Sequence, residues 1–268
     1  SASSTKQRRR CRITIMALAS SGTDDWALQQ APGWYGKLGA LGDFASRRLS
    51  NEHVAACDHW LTRAMHDSRA ALGERWLQAY LSAPIWRYAW APGVVDSQWW
   101  FGVLMPSCDA VGRYFPLLIA QARSQPPQDR LALDHLDLWW RHLAHAALVT
   151  LHEGASVDAF ETTLAAAPPW HTASRTTRGA SAGLDAGGHG NGTSNGAGQV
   201  STHPLAPHDD LASWVGRLAA DELGRRLSGH SLWWPVGAPQ SAQPSAIRIA
   251  PGLPDGHQFA QMLSGGVA

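Results

Sequence analysis

The chain has 268 residues, enough for one large hydrophobic core or two small ones, and 44% of them are hydrophobic while 16% are charged. Its 22 basic and 21 acidic residues leave a formal net charge of +1, so no overall field favours nucleic acid or an anionic membrane. No apolar run reaches the roughly 18 residues that a membrane span needs. These properties predict a globular protein that binds no nucleic acid and inserts into no membrane.

The beginning of the chain differs in composition from the rest. Three arginines at residues 8–10 precede a short apolar run, which superficially resembles a signal peptide. Thr14 and the polar residues 20–25 leave that run too short for a secretory signal. We therefore predict a disordered leader over residues 1–30, with a secretory signal as the alternative.

The cysteines indicate the compartment. Cys11, Cys57 and Cys108 are an odd, scattered set without any CxxC pair. Disulfide frameworks use even numbers of cysteines, and metal sites use closely spaced pairs. Free thiols in a reducing compartment are the simpler interpretation, so we expect a cytoplasmic protein.

Two apolar runs around a polar loop form the centre of the predicted fold. Residues 99–105 and 114–120 are rich in aromatic and branched side chains, as strands are. Both runs are apolar at successive positions, which is typical of strands covered on both faces. The loop between them contains Asp109 and Arg113. We expect helices above and below the sheet that these strands enter.

Apolar residues three or four positions apart predict helices elsewhere. The first helix begins at Ser50 or Asn51, which serve as N-caps, and ends at Gly73. Further helices are predicted over residues 76–81, 129–152, 156–167, 209–226 and 254–263, and further strands over residues 84–90, 231–235 and 246–250. The elements after residue 207 are too few for an independent core, so we expect them to complete the first sheet.

A stretch of small and polar residues interrupts these elements. Between about residues 172 and 206 the sequence consists mainly of Gly, Ser, Thr, Ala and Asn. Such a segment buries too little apolar surface to offset its ordering entropy. We predict a flexible insertion within a single domain that spans residues 31–268.

Two loops have spacings that could indicate chemistry. The glycine-rich residues 33–44 lack the Lys and Ser or Thr of a phosphate loop, and Asp43 would repel phosphate. Ser107 and Asp109 could join a histidine in a hydrolase, but no G-x-S-x-G turn surrounds Ser107. We predict no catalytic residue and no cofactor.

Four histidines share one stripe of the longest predicted helix: His135, His142, His145 and His152. A metal site is one interpretation of such a stripe. Zinc needs three or four convergent ligands, and the pattern supplies no nearby carboxylate. A solvated or partly buried helix face is the simpler interpretation, and we predict no metal site.

Several ordered sequence blocks together suggest a family. They are GWYGKL (residues 33–38), LGDF (41–44), WL (76–77), SAPIWR (82–87), GVLMPS (102–107), VGRYFPL (111–117) and SLWW (231–234). On these blocks the chain resembles the TagF family of type VI secretion-associated proteins, over residues 33–263. One departure is Gly39-Ala40, where the family tends to show Pro-Ser.

The resemblance implies a fold and a function. The implied fold is α/β, a three-layer α-β-α sandwich with a central mixed sheet. The implied function is post-translational repression of type VI secretion in the bacterial cytoplasm. The family is thought to bind secretion components, notably the forkhead-associated scaffold protein Fha, independently of threonine phosphorylation. Two other functions stay open: a structural or assembly component of the secretion apparatus, and a hydrolase-like enzyme.

Charged and aromatic residues in or beside these blocks are the candidates for partner binding. They are Lys37, Asp43, Arg47, Asp109, Arg113 and Trp233. Asp43 and Arg113 lie in two glycine-bearing loops beside strands, and we expect these loops to meet at one edge of the sheet. Either an Asp43–Arg113 ion pair ties the loops together, or the two residues form a charged binding patch.

Overall fold

The structure is a computed structural model that describes residues 31–172, 211–236 and 246–264. The predicted leader, and the predicted insertion from residue 173 onward, lie outside the described residues. Within the described ranges the chain is a mixed α/β fold built on one seven-stranded sheet. None of the helices in these ranges is long and apolar enough to cross a bilayer.

Strands and helices follow one another in groups of one to three along the described chain. The strands are β1 (Gly33–Gly36), β2 (Ala45–Arg47), β3 (Trp86–Trp90), β4 (Trp99–Met105), β5 (Leu117–Arg123), β6 (His230–Pro235) and β7 (Arg248–Pro251). The helices are α1 (Asn51–Leu72), α2 (Trp76–Ser82), α3 (Arg130–Val149), α4 (Val157–Ala165), α5 (Leu211–Leu227) and α6 (Gly256–Leu263). Each strand and helix that periodicity predicts has its counterpart here, whereas β1 and β2 are additional.

Helix starts follow from capping side chains. Ser50 accepts a hydrogen bond from the backbone N–H of His53 at 3.1 Å and begins α1. Asp129 accepts from the N–H of Ala132 at 2.7 Å and begins α3 in the same way. These side chains satisfy N–H groups that have no partner within the helix. Gly73, with φ +55°, ends α1 as predicted.

The strand order is β2-β1-β5-β4-β3-β6-β7. All six neighbouring pairs are antiparallel, which corrects the expected mixed sheet. The connections from β3 to β4 and from β4 to β5 are too short for the crossover that parallel neighbours need. β6 pairs with β3, so the elements after the predicted insertion complete the first sheet, as expected.

Apolar side chains cover both faces of the sheet. On β4, Phe101 and Val103 belong to one hydrophobic cluster and Leu104 belongs to another. Alternate residues of a strand point to opposite faces, so the two clusters lie on opposite sides of β4. The first cluster includes residues of α3 and α4, and the second includes residues of α1, α2 and α6. This explains why β4 is apolar at successive positions.

Tyr88 of β3 links three strands across a glycine. Its hydroxyl donates to the carbonyl of Ile119 on β5 at 2.9 Å, although β4 lies between. Gly102 is the β4 residue opposite Tyr88. A Cβ on Gly102 would lie 2.4 Å from the tyrosine oxygen and 1.9 Å from the Ile119 oxygen. Only glycine leaves room for the tyrosine to cross the strand.

We expect Gly102→Ala to lower the free energy of unfolding by about 1–3 kcal/mol, the usual cost of overpacking a core. Gly42→Ala is the matched control, because a Cβ on Gly42 meets nothing within 4 Å. Urea unfolding followed by tryptophan fluorescence measures both variants. Equal stabilities would contradict the close packing of Tyr88 on Gly102.

Candidate functional site

Two loops leave the sheet at the same end. The first loop, residues 37–44, follows β1, and the second loop, residues 106–116, follows β4. The last residues of these strands, Gly36 and Met105, both pair with Leu117 at the start of β5. The antiparallel register therefore places the two loops on either side of one residue.

A buried ion pair joins the two loops. Lys37 Nζ donates to Asp109 Oδ2 at 2.8 Å, and these side chains are 6% and 0% exposed. Arg113 Nε donates to the same oxygen at 2.6 Å. The backbone N–H groups of Val111 and Arg113 donate to Oδ1 at 3.1 and 2.9 Å. The buried Asp109 carboxylate therefore accepts four hydrogen bonds, about as many as its two oxygens can accept.

These donors also keep the carboxylate ionised. Burial alone would raise the pKa of Asp109, but the Lys37 ammonium, the Arg113 guanidinium and the two backbone N–H groups hold it well below its usual value. Hydrogen bonds with ionised partners are stronger than neutral ones. Lys37 also lies over the ring of Phe44, 4.8 Å from its centroid, which adds a cation–π contact within the first loop.

Neutral hydrogen bonds extend this network to α2. The hydroxyl of Tyr80 donates to the Ser107 carbonyl at 2.8 Å and accepts from the Ser107 N–H at 2.9 Å. Ser107 Oγ donates to the carbonyl of Lys37 at 2.8 Å. The serine considered above as a nucleophile is 3% exposed, and its hydroxyl connects the second loop to the first.

The surface above this network contains apolar residues. Val111 is 70% exposed and Phe44 is 45% exposed. The rings of Phe44 and Phe115 pack edge to face, with 4.7 Å between their centroids. Phe115 therefore holds the Phe44 ring in place on one side. In the sequence, Asp43 directly precedes Phe44, and Arg113 follows Val111 by two positions. We call Asp43, Phe44, Val111 and Arg113 the loop surface.

The two loops meet as expected, but the predicted Asp43–Arg113 ion pair is wrong. The Nε of Arg113 donates to the Asp109 carboxylate, and its Nη2 donates to the carbonyl of Gly42. Asp43 instead accepts from the backbone N–H of Phe44 at 2.8 Å. Asp109 is the stronger partner for Arg113, because it is four residues away in the same loop and is shielded from water.

The other candidates occupy different environments. Trp233 is fully buried in the second cluster and donates Nε1 to Ser231 Oγ at 2.9 Å. It offers no surface to a partner in the folded protein, which corrects its selection as a binding candidate. Arg47 on β2 is half exposed, and its Nε lies 3.9 Å from Glu161 Oε1. Lys37 and Asp109 are buried as well, and their ion pair holds the two loops together beneath the surface.

Sequence reasoning missed Phe44 and Val111. Both are large apolar residues in polar, glycine-bearing loops, and each lies within two positions of a candidate that was selected for charge. An apolar residue in such a loop was the available signal, because a loop otherwise has little reason to carry one. The structure adds that both residues remain exposed.

Comparison with known proteins identifies the family. Residues 33–167 match the TagF N-terminal domain, described as type VI secretion system-associated. The chain belongs to the TagF family. The crystal structure of PA0076 from Pseudomonas aeruginosa PAO1 is similar, with 31% sequence identity and a TM-score of 0.62. That similarity covers 88% of this chain and 94% of PA0076.

No curated protein matches the chain.

Both loops of the candidate site fall within the TagF match at residues 33–167. The family assignment made from the sequence blocks is therefore confirmed, and it rests on the part of the chain that builds the loop surface.

We expect Asp109→Asn to destabilise the protein far more than Asp43→Asn, because it leaves the Lys37 ammonium buried without a counter-charge. Adding Lys37→Met to the Asp109→Asn variant should recover part of the lost stability, since the uncompensated charge is then removed. Urea denaturation of the single and double variants measures this coupling. Additive effects would contradict a buried pair.

A pH series gives a second readout of the same pair. The folded-state pKa of Asp109 is depressed, so its stabilising contribution is complete above the unfolded pKa of about 3.9. The contribution is lost as pH falls below that value toward the folded-state pKa. The stability difference between wild type and Asp109→Asn should therefore be constant from pH 5 to 7 and shrink below about pH 4.

Proposed function

We propose that this chain is a post-translational negative regulator of type VI secretion. It acts by binding cytoplasmic secretion components, such as an Fha-type forkhead-associated scaffold protein. Membership of a family associated with the type VI secretion system supports a role of this chain in that system. The observation that carries the binding mechanism is the loop surface, because it combines exposed apolar residues with a rigid support.

The composition of the loop surface suits a protein partner. Protein interfaces combine apolar contacts with arginine, and a few such residues dominate the binding energy. Val111 and Phe44 supply apolar area, and the side chain of Arg113 is 56% exposed although its Nε is bonded. Because the two loops are already held by the Lys37–Asp109 pair, binding costs little further ordering of the backbone.

We propose that this regulation needs no catalysis by the chain. A nucleophilic serine must reach its substrate with a base at hydrogen-bond distance. Ser107 is buried, and its hydroxyl donates to the Lys37 carbonyl instead. A stoichiometric binder needs only an accessible surface and a sufficient concentration.

We further infer a three-layer α-β-α sandwich in a cytoplasmic protein. The two hydrophobic clusters support the layers, since α3 and α4 contribute to one, and α1, α2 and α6 to the other. The cysteines within the described ranges, Cys57 and Cys108, are both free thiols, which supports a reducing compartment.

Expression of this chain in its own host should inhibit type VI secretion in proportion to its level, without lowering the amounts of secretion components. A binder removes its target according to its concentration relative to the dissociation constant. Secreted tube protein is the readout, and an excess of the scaffold protein should relieve inhibition. Full inhibition at copy numbers far below every candidate target would contradict stoichiometric binding. No inhibition at any level would contradict the proposed function.

Val111→Lys should weaken binding to an Fha-type scaffold by about tenfold or more, because an apolar contact becomes an ammonium that must lose water. Leu138→Lys is the matched control, since Leu138 is a 53% exposed leucine on α3. Titration calorimetry measures affinity, and urea unfolding checks that both variants are as stable as wild type. If both variants bind equally well, the loop surface is not the interface.

A further inference from the structure

A cavity of about 240 Å³ is lined in part by the last residues of β5. The two loops lie at the other end of this strand. Arg123, the last residue of β5, lines it together with Gln121. Much of the remaining wall is apolar and rigid, and it includes Trp139, Pro168, Pro169 and Trp170. The cavity therefore combines one cation with aromatic and proline surfaces.

The guanidinium of Arg123 is buried but only partly bonded. The residue is 9% exposed. One terminal nitrogen donates to the carbonyl of Ala122 and the other to Gln121 Oε1, both at 3.0 Å. A guanidinium has five N–H groups, so these bonds leave three without an acceptor among the residues described. One of them is the buried Nε–H, which has no hydrogen-bond partner among the described residues.

Trp170 supplies a second unused donor on the same cavity. Its ring lies 4.5 Å from the guanidinium carbon of Arg123, which is a cation–π distance. The tryptophan is fully buried, and its indole N–H has no hydrogen-bond partner in the part of the chain that the structure describes. Buried donors are normally satisfied, so two unsatisfied donors on side chains that line one cavity call for an acceptor.

Arg123 differs from two other arginines in its ion pairing within the described residues. The half-buried Arg48 and Arg87 pair with Glu161 and Asp137, at 2.6 and 2.7 Å. Among the residues that the structure describes, no carboxylate pairs with Arg123. Burial lowers its pKa to about 10, which still leaves it protonated at neutral pH. An uncompensated buried charge costs stability, so an anion from outside would be favourable.

We propose that this cavity binds a small organic anion, a carboxylate on an apolar body. The carboxylate pairs with the planar guanidinium of Arg123, whose donors match two oxygens at once. The apolar body packs against Trp139, Trp170 and the two prolines. Sites for drug-sized ligands are typically about 300–1,000 Å³, so a cavity of this size takes a smaller molecule, comparable with benzoate.

Three probes test the ligand class on the full chain: benzoate, benzamide and inorganic phosphate. Benzoate should raise the melting temperature in a saturable way, as a ligand of the folded state does. Benzamide has the same shape without the charge and should have little effect, and phosphate, which lacks the apolar body, should have a smaller one. Equal shifts with benzamide, or larger shifts with phosphate, overturn the proposal. No saturable rise at roughly 10 mM benzoate also overturns it, because a millimolar site is about 90% occupied there.

Variants test the residue. Arg123→Met should raise the dissociation constant for benzoate about tenfold to a hundredfold, as expected for a lost charge-assisted pair. Arg130→Met is the matched control, because the Arg130 side chain is 86% exposed on α3, and it should bind benzoate as wild type does. An equal loss in both variants overturns the proposal.

Stability without ligand separates binding from a purely structural role. If Arg123 serves a ligand, Arg123→Met should be as stable as wild type or more stable in the absence of anions, since a costly buried charge is gone. Destabilisation together with unchanged benzoate affinity overturns the proposal. If Arg123→Met does not fold, Arg123→Lys decides, because it keeps the charge without the planar donors. Benzoate affinity should then fall about tenfold, and unchanged affinity overturns the proposal.

Discussion

Removing a lysine ammonium and an aspartate carboxylate from water is costly, and the loop end of the sheet is arranged to offset that cost. Asp109 accepts hydrogen bonds from Lys37, Arg113 and two backbone N–H groups. All four form together only when both loops hold one conformation. Two apolar residues would fill the same space at lower cost, but they would not select which backbone groups face each other. We infer that the role of the ion pair is to fix the loop surface.

Much of the fold could be predicted from the sequence, because most elements have a clear period or a capping residue. Ser50 and Asp129 mark helix starts, and the continuous apolar run of β4 indicates a strand covered on both faces. β1 was missed because two of its four residues are glycine, and β2 because three residues show no period. Strand direction was also missed, since it depends on connection length and pairing partners and not on strand composition.

The candidate site could be predicted only in part. The blocks located the correct loops, because charged and glycine residues cluster there. The ion pair itself joins residues 72 positions apart, and it requires the ends of β1 and β4 to flank Leu117, which only the sheet order provides. The burial of single residues could not be predicted from the sequence either. Trp233 and Val111 both lie in family-like blocks, but Trp233 is in the core and Val111 is exposed.

The strand β5 connects two charged sites that differ in how their charge is compensated. Near its first residue, Leu117, the charge of Lys37 is matched by Asp109 within the protein. At its last residue, Arg123 is similarly shielded, but the hydrogen bonds it makes go to neutral oxygens. Stability alone would favour the same solution at both ends, because an unpaired buried charge is costly wherever it lies. The Lys37 site therefore fits a role within the fold. The Arg123 site, which no carboxylate of the described residues compensates, fits the small organic anion proposed above.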